Sequence, residues 1–165
     1  NWYLLDRKLS TKLQAPIEIY LEQFPSGKEG KESYFHLNNT NVSIFEYLKD
    51  TRGSCIMVKD VFADEKYKIF EPRTNYGFVK KGFFEGRLVP TQFDYFIFFN
   101  DFLFHPEIAY PFIKDKVKKE VDKNLVDRTT FMRRLTNLRL KLSRYQNIDA
   151  ETIYSDATYD KAFRQ

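Results

Sequence analysis

The sequence predicts an α+β fold in one compact domain: an N-terminal helical segment over residues 1–41, a small antiparallel barrel-like sheet over 42–105, and C-terminal helices over 106–165. Three observations predict it. Short runs rich in β-branched and aromatic residues follow one another at intervals of roughly 8 to 12 residues between 42 and 104, with turn signals between them. Apolar residues recur at helical spacing on either side of that stretch. The chain of 165 residues, 42% hydrophobic and 30% charged, is about the size of a single globular domain.

The opening "NWYLLDRKLSTKLQAPIEIYLEQF" places Trp2, Leu4, Leu5 and Leu9 ahead of a helix start at Pro16. Proline suits a first helical turn because its missing N–H costs nothing there. Ile17, Tyr20, Leu21 and Phe24 continue at helical spacing until Pro25, Gly27 and Gly30 make a polar turn. A short helical or irregular piece around Tyr34 to Leu37 leads into "NNTN". The strand-like runs are "SIFEYLKD", "SCIMVKDVF", "EKYKIFEP", "GFFEGRLVPT" and "FDYFIFFNDFLFH", with turns at "DTRG", "ADE", "EPRTNYG" and "PTQ". Beyond Pro106, two amphipathic helices are expected, one on Ile113, Val117, Val121 and Leu125, the other on Phe131, Leu135, Leu138, Leu142 and Tyr145. They break near "NLVDRT", where Asp127 can cap the second. The tail, with Ile153, Ala157, Tyr159 and Phe163, reads as a third helix or a docking segment.

Composition narrows the function classes. The single cysteine, Cys55, excludes an internal disulfide and a cysteine cluster for zinc, and favours a reducing, cytoplasmic setting. The longest apolar run, Tyr95 to Phe99, is too short to span a bilayer, and the N-terminus lacks a signal-peptide pattern, so no membrane role is expected. Asn38-Asn39-Thr40 and Asn41-Val42-Ser43 match the glycosylation pattern at chance level. A start at Asn1 rather than Met is expected of a segment excised from something longer.

The net charge of +4 is unevenly spread. From Lys114 to Arg144 there are eleven Lys and Arg against four acids, a net +7 that leaves −3 for the rest of the chain. Lys118, Lys119, Arg133, Arg134, Arg139, Lys141 and Arg144 are therefore the candidate phosphate-contacting residues of a nucleic-acid or acidic-protein interface, the alternative being a solvated helix surface.

Residues 82–105 hold eight of the chain's 17 phenylalanines. Strict alternation puts Phe93, Tyr95, Ile97 and Phe99 on one face, expected to fill the barrel, and Asp94, Phe96, Phe98 and Asn100 on the other. The second face either lies under helices or forms a stacking platform for bases or a docking surface for a partner or a second copy. No basic residue occurs from Tyr95 to Phe104, which favours core over platform. Arg87, between Gly86 and Leu88, is expected to pair with Glu85, Asp60 or Asp6, or else to bind an anion in a cleft. His36 and His105 are the only histidines, and the chain has no P-loop, G-x-G-x-x-G or H-E-x-x-H. The expectation is a non-catalytic binding or adaptor module without metal or cofactor, the alternatives being a protein-interaction or oligomerisation module and an enzyme whose site is assembled only in space.

The stretches "WYLLDRKL", "SIFEYLKD", "VKDVFADEKYKIFE" and "KKGFFEGRLVPTQFDYFIFFNDFLFHPEI" resemble a group of uncharacterised bacterial proteins. That group has a Trp-Tyr-Leu-x-Asp-Arg start, a barrel segment and a Gly-to-Pro stretch in which Arg87 and Pro90 fall in register, and the likeness spans roughly residues 1–110. Phe83 stands where the group has an acid, and the SEC-C cysteine motif of some members is missing, so the resemblance implies a bacterial origin and a fold but no zinc role.

Overall fold

The computed structural model describes residues 5–9, 13–23, 36–72, 77–99, 102–121, 123–145 and 147–161. Helix α1 (Pro16–Gln23) starts at the expected proline, and Glu18 accepts a 2.7 Å hydrogen bond from the Ala15 N–H, which satisfies one donor of the first turn. Trp2, Phe24 and Tyr34, assigned above to this N-terminal segment, lie outside the described residues.

Five strands form the barrel: β1 (Asn41–Thr51), β2 (Cys55–Asp60), β3 (Lys66–Phe70), β4 (Phe83–Pro90) and β5 (Phe96–Phe98). A two-residue strand β6 (Leu103–Phe104) adds to the N-terminal half of β4. The barrel is small, closed and mixed, in the order β1-β2-β3-β5-β4 with β4 returning to β1. The sequence led us to expect antiparallel pairs throughout, and four of the five barrel pairings are antiparallel. The closing pair, β3 with β5 at Ile69 and Phe96, is parallel. Parity requires it, because strands that alternate in direction around a ring cannot close when their number is odd.

Alternation along β1 and β4 divides the apolar residues between two cores. Phe45, Tyr47, Phe84 and Leu88 point into the barrel with Ile56, Val58 and Ile69. Their neighbours Ile44 and Phe83 point outward and meet Ile113, Val117, Phe131, Leu135 and Leu138 of the helical layer. Phe84 is fully buried, with the rings of Phe45, Phe78, Phe98, Phe102 and Phe104 at 5.2–5.8 Å from its own.

The phase of the last barrel strand is opposite to the one expected. Phe96 and Phe98 pack inside the barrel, whereas Ile97 faces out. Register with β4 decides this: Leu88, committed to the interior, sits opposite Phe98, and Val89 sits opposite Ile97. Asn100 lies outside the described residues.

The helical layer comprises α2 (Tyr110–Lys116), which runs on into a π-helical turn (Val117–Val121), α3 (Arg128–Arg144), α4 (Ala150–Ile153) and α5 (Asp156–Lys161). Asp127 caps α3 as expected, accepting a 2.9 Å bond from the Thr130 N–H. Leu125 and Tyr145, placed above on apolar faces, are exposed at 71% and 54%. The tail docks through Ile153, Tyr154 and Tyr159, all buried in the core shared with α3.

Candidate functional site

The seven basic residues singled out in the sequence do not share one face. Arg134 is turned inward: its Nη1 lies 3.3 Å from Glu120 Oε2, its guanidinium stands over the Tyr159 ring, and its side chain is 17% exposed. Glu120 also accepts from Lys116 at 2.9 Å and from the Tyr159 hydroxyl at 2.8 Å, while Lys116 reaches Asp156 at 2.9 Å. Burial alone would lower the Lys116 pKa, yet the hydrogen bonds from its ammonium to Glu120 and Asp156 outweigh that and hold it well above its ordinary value. Arg139 donates through Nε to the Phe104 carbonyl at 2.8 Å and through Nη1 to Ser143 at 2.7 Å, tying α3 to β6. Lys119 pairs with Asp115 at 2.8 Å on the surface of the π turn and α2. Lys118, Arg133 and Arg144 are exposed and Lys141 is half-buried.

Arg87 pairs with one of the three acids named for it from the sequence. One guanidinium nitrogen pairs with Asp6, and the other donates to the Thr40 hydroxyl at 2.6 Å. Asp60, offered as another partner for Arg87, instead serves Arg128, whose Nη2 lies 3.1 Å from it. His105 is buried, with Nε2 3.1 Å from Glu85 and Nδ1 3.0 Å from the Tyr154 hydroxyl. Glu85 accepts in turn from Thr136 at 2.7 Å, so a polar chain crosses from β4 to α3 beneath the surface. Burial pushes the Tyr154 phenol far above its ordinary pKa, which keeps it protonated. Cys55 is buried, its thiol donating to the Gly53 carbonyl. His36 is half-buried in a helical turn at 36–38. Among the described residues no group of three His, Cys, Asp or Glu is placed to hold a metal ion. No described helix is long and apolar enough to cross a membrane.

A different surface gathers aromatic and basic groups. On β3 the outward residues are Lys66, Lys68 and Phe70, while Tyr67 and Ile69 face the barrel. The parallel pairing sets β5 beside them, and the loop before it carries Phe93 and Tyr95. Tyr95 lies 5.5 Å from both rings, stacked on Phe93 and tilted against Phe70. Phe93 is 61% and Phe70 37% exposed. Ile97 extends the apolar strip, and among the described residues Lys68 is held only by a 3.8 Å pair with the solvated Asp94.

The basic residues missing from the linear run Tyr95 to Phe104 are thus supplied by the adjacent strand. The period-two pattern in "KYKIF", with Lys, Lys and Phe on one side, was the sequence signal that could have shown it. The chain matches no family model, no curated protein and no solved structure, which leaves the resemblance to the bacterial group an expectation.

Proposed function

We propose that the protein is a non-catalytic binding module that holds a single-stranded nucleic acid on the outer face of β3 and β5. The observation that carries the reading is the run of three adjoining, partly exposed rings, Phe70, Tyr95 and Phe93, next to Lys66 and Lys68. Sequence-tolerant single-strand binding needs this pairing: flat rings that stack on successive bases and cations that follow the phosphates. A small closed five-stranded barrel with a parallel closing pair is also an architecture that binds oligonucleotides on an outer strand face, an analogy of fold rather than of site.

The charge around the rings is modest, since Asp94 and Asp64 stand beside Lys68 and Lys59. Stacking of about 1–3 kcal/mol per base therefore dominates, and affinity is expected on the order of 10–100 μM. Two phosphate contacts give a salt slope of about −1.4, whereas seven on the helices would give about −5.

Fluorescence anisotropy of labelled single-stranded RNA, single-stranded DNA and duplex DNA at about 50 and 200 mM salt tests the reading. Single strands should bind in preference to the duplex, and Tyr95→Ala with Lys68→Glu should abolish binding while Arg133→Glu with Arg144→Glu leaves it in place. Loss only in the helix pair would move the interface to α3. Absence of binding at both salts would make the ring strip a protein-docking surface.

A further inference from the structure

A second site lies on the opposite side of β4, where α3 leaves the outer face of the β1–β4 pair. There a cleft of about 340 Å³ opens between Val42, Arg87 and the first turns of α3, with Arg128, Met132 and Arg133 along its helical wall. Val42 and Arg87 are cross-strand partners on β1 and β4, so they present a rigid floor of one apolar and one charged group. We propose that this cleft binds a small organic phosphate, with the phosphate among the three arginines and an apolar body against Val42 and Met132.

Each arginine contributes differently. Arg87 and Arg128 are held in place by the fold: Arg87 by Asp6 and Thr40, and Arg128 by Asp60 and Ser43 through Nη2 with its guanidinium 4.5 Å above the Phe62 ring. All the hydrogen bonds of Arg128 among the described residues leave from Nη2, so its Nε and Nη1 donors are already oriented and unused. An anchored guanidinium with spare donors loses little rotamer freedom when it takes an anion. Arg133 is exposed and, among the described residues, is the one arginine of the cleft without a carboxylate partner.

Two acids share the space, and both are engaged. Asp6 is paired with Arg87, and Glu85 accepts from Thr136 and His105. With Asp60 beneath Arg128, three guanidiniums stand against three engaged carboxylates, so the anion would be held by the spare donors of Arg128 and Arg133 rather than by a net charge. Donors arriving from separate arginines suit the tetrahedral oxygens of a phosphate better than the two coplanar oxygens of a carboxylate, and the volume lies in the range of small-ligand sites.

Isothermal titration of the whole chain with phenyl phosphate, and separately with phenylacetate and inorganic phosphate, tests the assignment. Phenyl phosphate is expected to bind with a Kd below about 1 mM. Removing one charge-assisted contact by Arg133→Ala should weaken it about tenfold. That substitution is on an exposed position, so the melting temperature should not move, and Arg144→Ala, farther along α3, should leave phenyl phosphate binding unchanged. Inorganic phosphate binding more weakly than phenyl phosphate supports the apolar wall.

Phenylacetate binding as tightly as phenyl phosphate would overturn the phosphate assignment. No binding, or binding indifferent to Arg133→Ala, would overturn the site. Lys68→Glu, which acts on the ring strip, should not affect phenyl phosphate, so this inference and the nucleic-acid reading fail separately.

Discussion

Replacing Asp60 by alanine is expected to destabilise the fold by about 4 kcal/mol. Asp60 is fully buried at the end of β2 and accepts from four different groups. The N–H of Phe62 at 2.8 Å and that of Ala63 at 3.2 Å shape the turn into β3, Asn41 Nδ2 at 3.1 Å joins the start of β1, and Arg128 at 3.1 Å joins α3. The Arg128 side chain is 44% exposed, so water recovers part of what it loses, and its own share of the pair is about 1 kcal/mol. The two turn N–H groups and Asn41 each lose about 1 kcal/mol when their charged acceptor disappears. Urea denaturation of Asp60→Ala, Arg128→Ala and the double variant gives the three differences directly, provided the m-values agree. A loss below about 1 kcal/mol for Asp60→Ala, or singles that add to within about 0.3 kcal/mol, would refute the claim that this carboxylate fastens the helical layer to the barrel.

The barrel interior gives a graded series: Phe84→Ala should cost about 3–5 kcal/mol, Phe98→Ala about 2–4 because its ring is only half-buried, and Phe96→Ala less again, since Tyr67 is its one described ring neighbour. Equal losses by denaturant titration would contradict the packing. Arg134→Glu should lower the melting temperature by several degrees, because it sets a second carboxylate against Glu120, whereas Arg144→Glu should not; reversal of that order would place Arg134 on the surface.

Acid sensitivity follows from carboxylates held below their ordinary range: Asp127 by hydrogen bonds from Thr130, and Asp156 by its bond to Lys116. A depressed folded pKa stabilises above the unfolded value and is lost as pH falls through the folded one, so stability should decline below about pH 4. The raised Lys116 pKa acts the other way, its contribution complete below about pH 10 and lost only as pH rises further. Asp127→Asn keeps a competent cap but should flatten part of the acid decline in melting temperature, and an unchanged decline would remove Asp127 from the account.

The elements were legible where one local signal dominated. Pro16, the Asp127 cap and the buried stripe Phe131, Leu135 and Leu138 marked helices whose phase is fixed by a single apolar face. The phase of β5 was not legible because rings occupy both of its faces, and the choice between them belongs to Leu88 on another strand. The basic segment was legible only as a count of charges. Its +7 counts charges but says nothing of where each side chain ends, and Lys116, Arg134 and Arg139 end on Glu120, Asp156 and the Phe104 carbonyl. A cation already paired inside a core adds little to the field that a phosphate meets outside.

Barrel closure therefore bears on the proposed binding face as well as on the fold. With five strands one neighbouring pair must be parallel, and here it is β3 with β5, strands that no hairpin connects. That pairing sets the lysine-bearing face of β3 against the ring-bearing loop ahead of β5, which no reading of either segment alone would join. Shifting β5 by one residue would reverse both faces, turning Ile97 inward and putting Phe96 and Phe98 on the surface. The Leu88–Phe98 register thus does two things together: it completes the aromatic core, and it keeps Tyr95 against Phe70, 5.5 Å away, beside the lysines that the proposed reading assigns to the phosphates.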